Sequence, residues 1–444
     1  MDATLLLDHQ PTHTPGTTVV RALLSIAGTP PSSATRAPFG LSLVLDRSGS
    51  MSGAPLHAAR SAAARAVERL HPDDVVSTVL FDDEVEILAE PARCRDQHQL
   101  ANRLRQIESG GSTNLSGGWL RGRQHMESAA ELLTATIGSS RRIVLMTDGH
   151  ANAGIVDRDT LVDLARTARA LGITTSTIGV GEGYDDGLLR AMADAGGGNS
   201  WYVERPDQAQ DVFAEELGNL LNVAAQGLTV TLTLHPDVEM LTVHSDWPTT
   251  HHDGAFTFDL GDLYASEPKP LLLELLAPSN ATASTSATHA PVALATLRVS
   301  AFVVTDGGGV ELRTLALPIA ATLDGQAHMV PEVERAIVMA RSAKARESAA
   351  REQRHGNAEA AAQLMHDAQQ GLVSSPIYGD VAFASEMQAE SADLAQMETR
   401  YRDGDYSELD AKYQLQRTHN ARRGKGNYDA KLRRGSIAND GTIA

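Results

Sequence analysis

Only one cysteine, Cys94, stands among 444 residues. No disulfide can therefore close within the chain, and a lone thiol fits a reducing compartment. No apolar run approaches the ~18 residues a membrane-crossing helix needs; residues 271–276 are interrupted by Glu274. The opening Met1-Asp2-Ala3-Thr4 lacks the basic start of a secretory leader. These three absences lead us to expect a cytoplasmic protein with no membrane span. Positive charge is also short. Lys and Arg number 38 against 56 Asp and Glu, and 38 minus 56 gives a net charge of −18, which argues against nucleic-acid binding by the body of the protein.

Familiar catalytic signatures are missing as well. No G-x-S-x-G nucleophile turn occurs, since Gly49-Ser50-Met51 fails at the third place. No Walker A sequence occurs; Gly424-Lys425-Gly426 has neither its spacing nor its Ser or Thr. A phosphatase of the haloacid dehalogenase type needs a second Asp two residues after the first, where Asp46 is followed by Ser48. The nearby pairs His9/His13 and His251/His252 have no Cys or third ligand beside them, and read as surface histidines.

What is present is enough apolar material, 42% of residues, to build a real core, and enough length for two or three domains. The many Ala, Arg, Asp and Gly residues suggest a GC-rich bacterial genome. Residues 1–38 hold one strand candidate, residues 17–26, and end in a linker rich in Pro, Ser and Thr. Across residues 39–225 short apolar runs alternate with helix-length amphipathic stretches, the pattern of a doubly wound, mostly parallel α/β sheet. Across residues 226–325 the period falls to two: Leu228, Val230, Leu232 and Leu234 alternate with threonines, and turn residues recur between such runs. That predicts an antiparallel β-sandwich into which the α/β unit is inserted, with residues 1–38 supplying its first strand. Residues 326–403 read as a helical hairpin or bundle, and residues 404–444 as a basic, partly flexible tail carrying Arg422, Arg423, Lys425, Lys431, Arg433 and Arg434.

Three short segments carry the chemistry. Asp46-Arg47-Ser48-Gly49-Ser50 follows the run at residues 41–45, Thr113 lies in a Gly-Ser-rich stretch, and Asp148-Gly149 follows the run at residues 143–147. If both runs are parallel strands of one sheet, the two aspartates emerge at its carboxyl edge, where such sheets carry ligands. Gly49, free to take a positive φ, would let the loop curl so that the serines converge. Two carboxylates and three hydroxyls (Asp46, Asp148, Ser48, Ser50, Thr113) form a hard-oxygen set suited to Mg2+, with Mn2+ or Ca2+ as alternatives. Taken singly, each segment also fits a turn or a helix cap. Asp82 and Asp83, after another strand, read as a solvated turn.

The ordered D-x-S-x-S, Thr and Asp-Gly pattern resembles the von Willebrand factor A domain with its metal-ion-dependent adhesion site. Phe81-Asp82-Asp83, Gly111-Ser112-Thr113-Asn114-Leu115 and Leu145-Met146-Thr147-Asp148-Gly149 fit the same text. The resemblance implies that the serines and threonine touch the metal, that the aspartates hold it directly or through water, and that one position stays open for a partner's Asp or Glu. It therefore implies a cation-dependent protein-binding or adaptor protein rather than an enzyme. The alternatives are a metal-dependent hydrolase using the same oxygens, for which His57 and His150 are the nearest bases, and an adaptor subunit of an ATPase complex.

Overall fold

Two antiparallel strands, β1 (Asp2–Pro11) and β2 (Thr17–Ala27), open the chain in the computed structural model. The structure describes residues 1–423 except 13, 15, 30–37, 134–139, 182, 204, 206–207, 266, 279–290, 305–309 and 324–325. Strands and helices then alternate: β3 (Gly40–Asp46), α1 (Ala54–Glu68), β4 (Val75–Phe81), β5 (Val85–Arg93), α2 (Gln97–Arg105), α3 (Leu115–Leu133), β6 (Arg141–Thr147), α4 (Arg158–Ala170), β7 (Ile173–Val180), α5 (Asp186–Ala195), β8 (Gly197–Val203) and α6 (Ala209–Leu221). Next come β9 (Val223–Leu234), β10 (Glu239–Val243), β11 (Thr249–His252), β12 (Ala255–Tyr264), β13 (Lys269–Pro278), β14 (Val292–Val304) and β15 (Val310–Ala321). Four helices follow: α7 (Pro331–Arg354), α8 (Ala358–Val373), α9 (Ala384–Asp403) and α10 (Glu408–Arg422).

The six-stranded sheet runs in the order β5-β4-β3-β6-β7-β8, parallel except for β5. Every residue of β3 is buried, which is why it reads as an unbroken apolar run rather than an alternating one. Leu41, Leu43 and Leu45 face a core shared with α1, α2 and α6, while Val44 faces the opposite core under α3, α4 and α5. Each such buried leucine contributes about 1.5–3 kcal/mol of transfer free energy. Two antiparallel sheets, β1-β2-β13-β10 and β11-β12-β9-β14-β15, enclose a third core. Because β2 pairs with β13, the chain leaves the sandwich after β2 and re-enters it at β9. The α/β unit is thus an insertion in the sandwich, with the helices at its C-terminal side.

A buried charge cluster joins these layers. Arg142, at the start of β6, is fully buried and donates to Glu216 Oε1 (2.7 Å), Asp262 Oδ2 (3.1 Å), Tyr264 Oη (2.6 Å) and Thr174 Oγ1 (2.9 Å). Glu216 also accepts from Ser176, Asn199 and Trp201. Burial alone would lower the pKa of Arg142 and raise that of Glu216. The neighbouring Tyr264, Glu216 and Asp262 outweigh it and keep the Arg142 pKa raised; Arg142 and the three donors keep that of Glu216 lowered.

Several details depart from the sequence reading. The first 38 residues supply two strands rather than one. His9 is buried, not a surface residue, and its backbone bridges to His328; His13 lies outside the described residues. The expected tail from residue 404 begins as a docked helix. In α10, Lys412 donates to Tyr184 O (2.9 Å) and Gln416 to Ser200 O (2.9 Å), while Arg417 pairs with Glu390 (2.7 Å). Its polar residues pack against the α/β unit and α9, so a composition that reads as a basic, partly flexible tail did not reveal the helix. Lys425, Lys431, Arg433 and Arg434 lie outside the described residues, as does the loop expected at residues 280–290.

Candidate functional site

Parallel register brings the two aspartates together. Leu45 of β3 pairs with Met146 of β6, so Asp46 at the end of β3 and Asp148 just beyond β6 reach the same sheet edge. Asp46 is wholly buried. Its Oδ1 accepts from Ser48 N (2.8 Å), and its Oδ2 from the Thr147 hydroxyl, which in turn accepts from Gly149 N (3.1 Å). The Ser50 hydroxyl donates to Asp148 Oδ1 (2.8 Å) and lies 3.1 Å from Ser48 Oγ. A Cβ placed on Gly149 would meet Thr113 Oγ1 at 3.2 Å and Asp46 Oδ2 at 3.8 Å, so Thr113 faces the same point. All five predicted residues therefore border one locus. Asp46, Ser48, Thr113 and Asp148 are buried; Ser50 is exposed at its mouth.

The loops are knitted together by backbone hydrogen bonds. Gly49 N donates to Gly111 O (2.8 Å), Gly110 N to Arg47 O (2.7 Å), and Asn114 N to Asp82 O (2.7 Å). Asn152 N and Ala153 N both donate to Thr113 O (3.1 and 3.2 Å), fixing the threonine against the Asp148 loop. Gly49 does not take a positive φ as expected. It lies in a short 3-10 turn, and the positive φ falls at Gly53, which caps the start of α1. Gly110 is required by closeness instead, because a Cβ there would fall on the Asp82 carboxylate.

Asp82 is where the sequence reading most needs correction. It is buried, not solvated: Oδ1 accepts from Glu84 N (2.8 Å) and Oδ2 from Arg47 Nε (2.9 Å). Arg47 also reaches Glu86 (2.6 Å). The one cation inside D-x-S-x-S is thus turned away from the two aspartates. Thr147 and Arg47 are site residues that sequence reasoning passed over; their positions beside the motif aspartates were the available signal.

Charge at the locus is unbalanced. Burial raises the pKa of Asp46 from 3.8 to about 6 against the opposing hydrogen bonds from Thr147 and Ser48, and the charge of Asp148 adds to the rise. Burial likewise raises Asp148. Among the described residues no Lys, Arg or His forms an ion pair with either. Nor does any group of three or more His, Cys, Asp or Glu side chains gather as a cation site; this locus has two carboxylates and draws its other oxygens from hydroxyls. The donor set fits a hard divalent cation, and buried carboxylates without a counter-charge are costly unless one is supplied.

An open α/β sheet with ligand-type oxygens at its carboxyl edge defines the class. Residues 41–215 match the model of the von Willebrand factor type A domain, and the chain carries such a domain, a class that mediates protein–protein interaction and commonly binds a divalent metal. Over 285 residues the chain is 29% identical to the uncharacterized protein sll0103 of Synechocystis sp., a match covering 62% of this chain and 66%, just under two thirds, of that protein. Among solved structures it is similar to a von Willebrand factor type A protein from Catenulispora acidiphila, with a TM-score of 0.64, 15% identity, and 90% and 96% of the two chains covered. It is also similar to the ArnB paralog VWA2 from Sulfolobus acidocaldarius, with a TM-score of 0.56, 17% identity, and 96% and 98% covered. At these identities the two structures establish the fold alone. No helix among the described residues is long and apolar enough to cross a membrane.

Proposed function

We propose that the protein binds a divalent cation, Mg2+ in the first instance, at Asp46, Ser48, Ser50, Thr113 and Asp148, and through it an acidic side chain of a partner protein. The observation that carries this reading is the charge imbalance: two buried carboxylates converge with three hydroxyls while the only cation of the motif, Arg47, pairs with Asp82 and Glu86. When bound, the cation supplies a concentrated positive charge that can accept a further carboxylate. The chain's own residues hold the oxygens in place. Thr147 and Ser48 N fix Asp46, Ser50 fixes Asp148, and the backbone bonds to Thr113 O fix the third segment. Ser50 leaves the locus open to solvent on one side.

The activity is recognition, not turnover. His57 and His150, the nearest bases, are both exposed, and His57 accepts through Nδ1 from Arg60 (3.2 Å). Capture of partners on the immobilised full chain, compared in Mg2+ and in chelator, tests the reading. The expected result is a set of proteins retained only with Mg2+ and lost by Asp46→Asn. Retention indifferent to chelator would refute it, and loss of a measured hydrolytic turnover on His150→Ala would refute the non-enzymatic part.

A further inference from the structure

A cavity of about 380 Å³ lies beside the candidate cation locus, between the first turns of α1 and the loop that follows α2. Leu56 and Ile107 lie at its floor, each nearly inaccessible; His57, Arg60, Glu108 and Ser109 line its open, mainly polar sides. The two sites are joined by short stretches of chain. Gly53, on the rim, is three residues past Ser50, and Ser109 is two before Gly111, whose carbonyl accepts from Gly49 N. At no more than about 3.6 Å of chain per residue, the rim lies within about 11 Å of the Ser50 backbone. Two or three extended residues of a bound segment, at about 3.3 Å each, span about 7–10 Å, and the side chains reach the remainder.

We propose that this cavity receives an aromatic side chain of the partner, two or three positions from the acidic residue that meets the cation. The inference rests on the cation-binding reading above and specifies its partner. Arg60 decides the chemistry. Its Nη1 donates to Ile107 O (3.1 Å) and its Nη2 to His57 Nδ1 (3.2 Å), so the guanidinium is pinned as one wall of the cavity. A planar guanidinium held in place offers a face on which an aromatic ring stacks. An aliphatic side chain would cover the floor but gain nothing from that face. A second carboxylate would meet Glu108 on the rim, with two of Arg60's N–H groups already engaged. Because His57 accepts at Nδ1, its proton is on Nε2, leaving a donor for a tyrosine hydroxyl. Buried aromatic anchors ringed by polar groups are the usual source of interface affinity.

The test is selection of a phage-displayed library of random linear peptides on the full chain in excess Mg2+. Enriched peptides are expected to carry an Asp or Glu with a Tyr, Phe or Trp two or three positions away. Ser109→Trp, which fills the cavity from an exposed loop position, is expected to weaken those peptides at least about tenfold. The same variant should keep the full Mg2+-induced rise in melting temperature, which shows that the fold and the cation locus survive. Arg60→Ala is expected to weaken aromatic peptides more than aliphatic ones. Peptides bearing an acid but no aromatic preference, undiminished binding to Ser109→Trp, or failure to enrich any peptide would overturn the proposal. Aromatic peptides retained in chelator would overturn the cation reading and leave the cavity standing.

Discussion

Strand β6 has a charge problem at each end, and the two are solved differently. At its start Arg142 is buried with Glu216, Asp262, Tyr264 and Thr174, so every charge meets its opposite within the chain. Just past its other end Asp148 lies beside Asp46, with hydroxyls and a backbone N–H as donors and no cationic partner among the described residues. The first arrangement is closed and can only hold layers together. The second is incomplete in sign but not in geometry, which is what an ion site looks like from the protein's side. Burial alone therefore does not separate structural from functional charge; the test is whether the chain itself supplies the counter-charge.

The largest expected effect is at the closed end. Arg142→Met leaves Glu216 and Asp262 buried without their cation, and should cost about 3–5 kcal/mol of stability. Denaturant unfolding should show the same loss in Mg2+ and in chelator. A Mg2+-dependent loss would mean the two ends are not the separate systems described here.

At the open end the same kind of change should act in the opposite direction. Asp46→Asn removes an uncompensated buried charge, so in chelator its melting temperature should equal or exceed that of the wild type. Its gain from Mg2+ should vanish, whereas the wild type gains about 2.7 kcal/mol when Mg2+ stands at a hundred times its dissociation constant. A variant that melts lower in chelator and still responds to Mg2+ would collapse the contrast.

The pH dependence sharpens it further. Burial, assisted by Asp148, raises Asp46 to about 6 from 3.8, so between those values the folded metal-free protein binds a proton that the unfolded chain has released. Its contribution to stability in chelator therefore falls as pH rises through that window and is flat above it. Cation binding needs the carboxylate, so the Mg2+-induced gain should be small at about pH 5 and level off above about pH 7. Melting curves across that range, with and without chelator, check the sign; a gain independent of pH would contradict it. The smallest effect on the cation site is at Arg47. Its pair with the exposed Glu86 is worth about 1 kcal/mol or less, but Arg47→Ala also strips the buried Asp82 of its cation, so it should lower stability by about 1–3 kcal/mol and leave the Mg2+ response in place.

Much of this was legible in the sequence, for a physical reason. Strands β3 and β6 are buried on both faces and so read as unbroken apolar runs, and the aspartates at or just past their ends, Asp46 and Asp148, had to emerge at one edge. Thr113 could be placed with them because the three segments occur in a recognisable order. The Arg142 cluster could not be read. An arginine at the head of an apolar run looks like a strand end, and its partners Asp262 and Tyr264 lie 120 and 122 positions away, in the sandwich. Asp82 was misread because acidic pairs after a strand usually face water, whereas here Arg47, 35 residues earlier, folds back over it. Helix α10 was missed because its buried surface is polar: Lys412, Gln414 and His419 are all nearly inaccessible, and no apolar periodicity announces them.

Calorimetric titration of Mg2+ into the chelator-stripped full chain, repeated with Asp46→Asn, reaches the central claim most directly. The account predicts one saturable site per chain in the wild type and none in the variant. No saturable binding to the wild type, or equal binding to both, would contradict it.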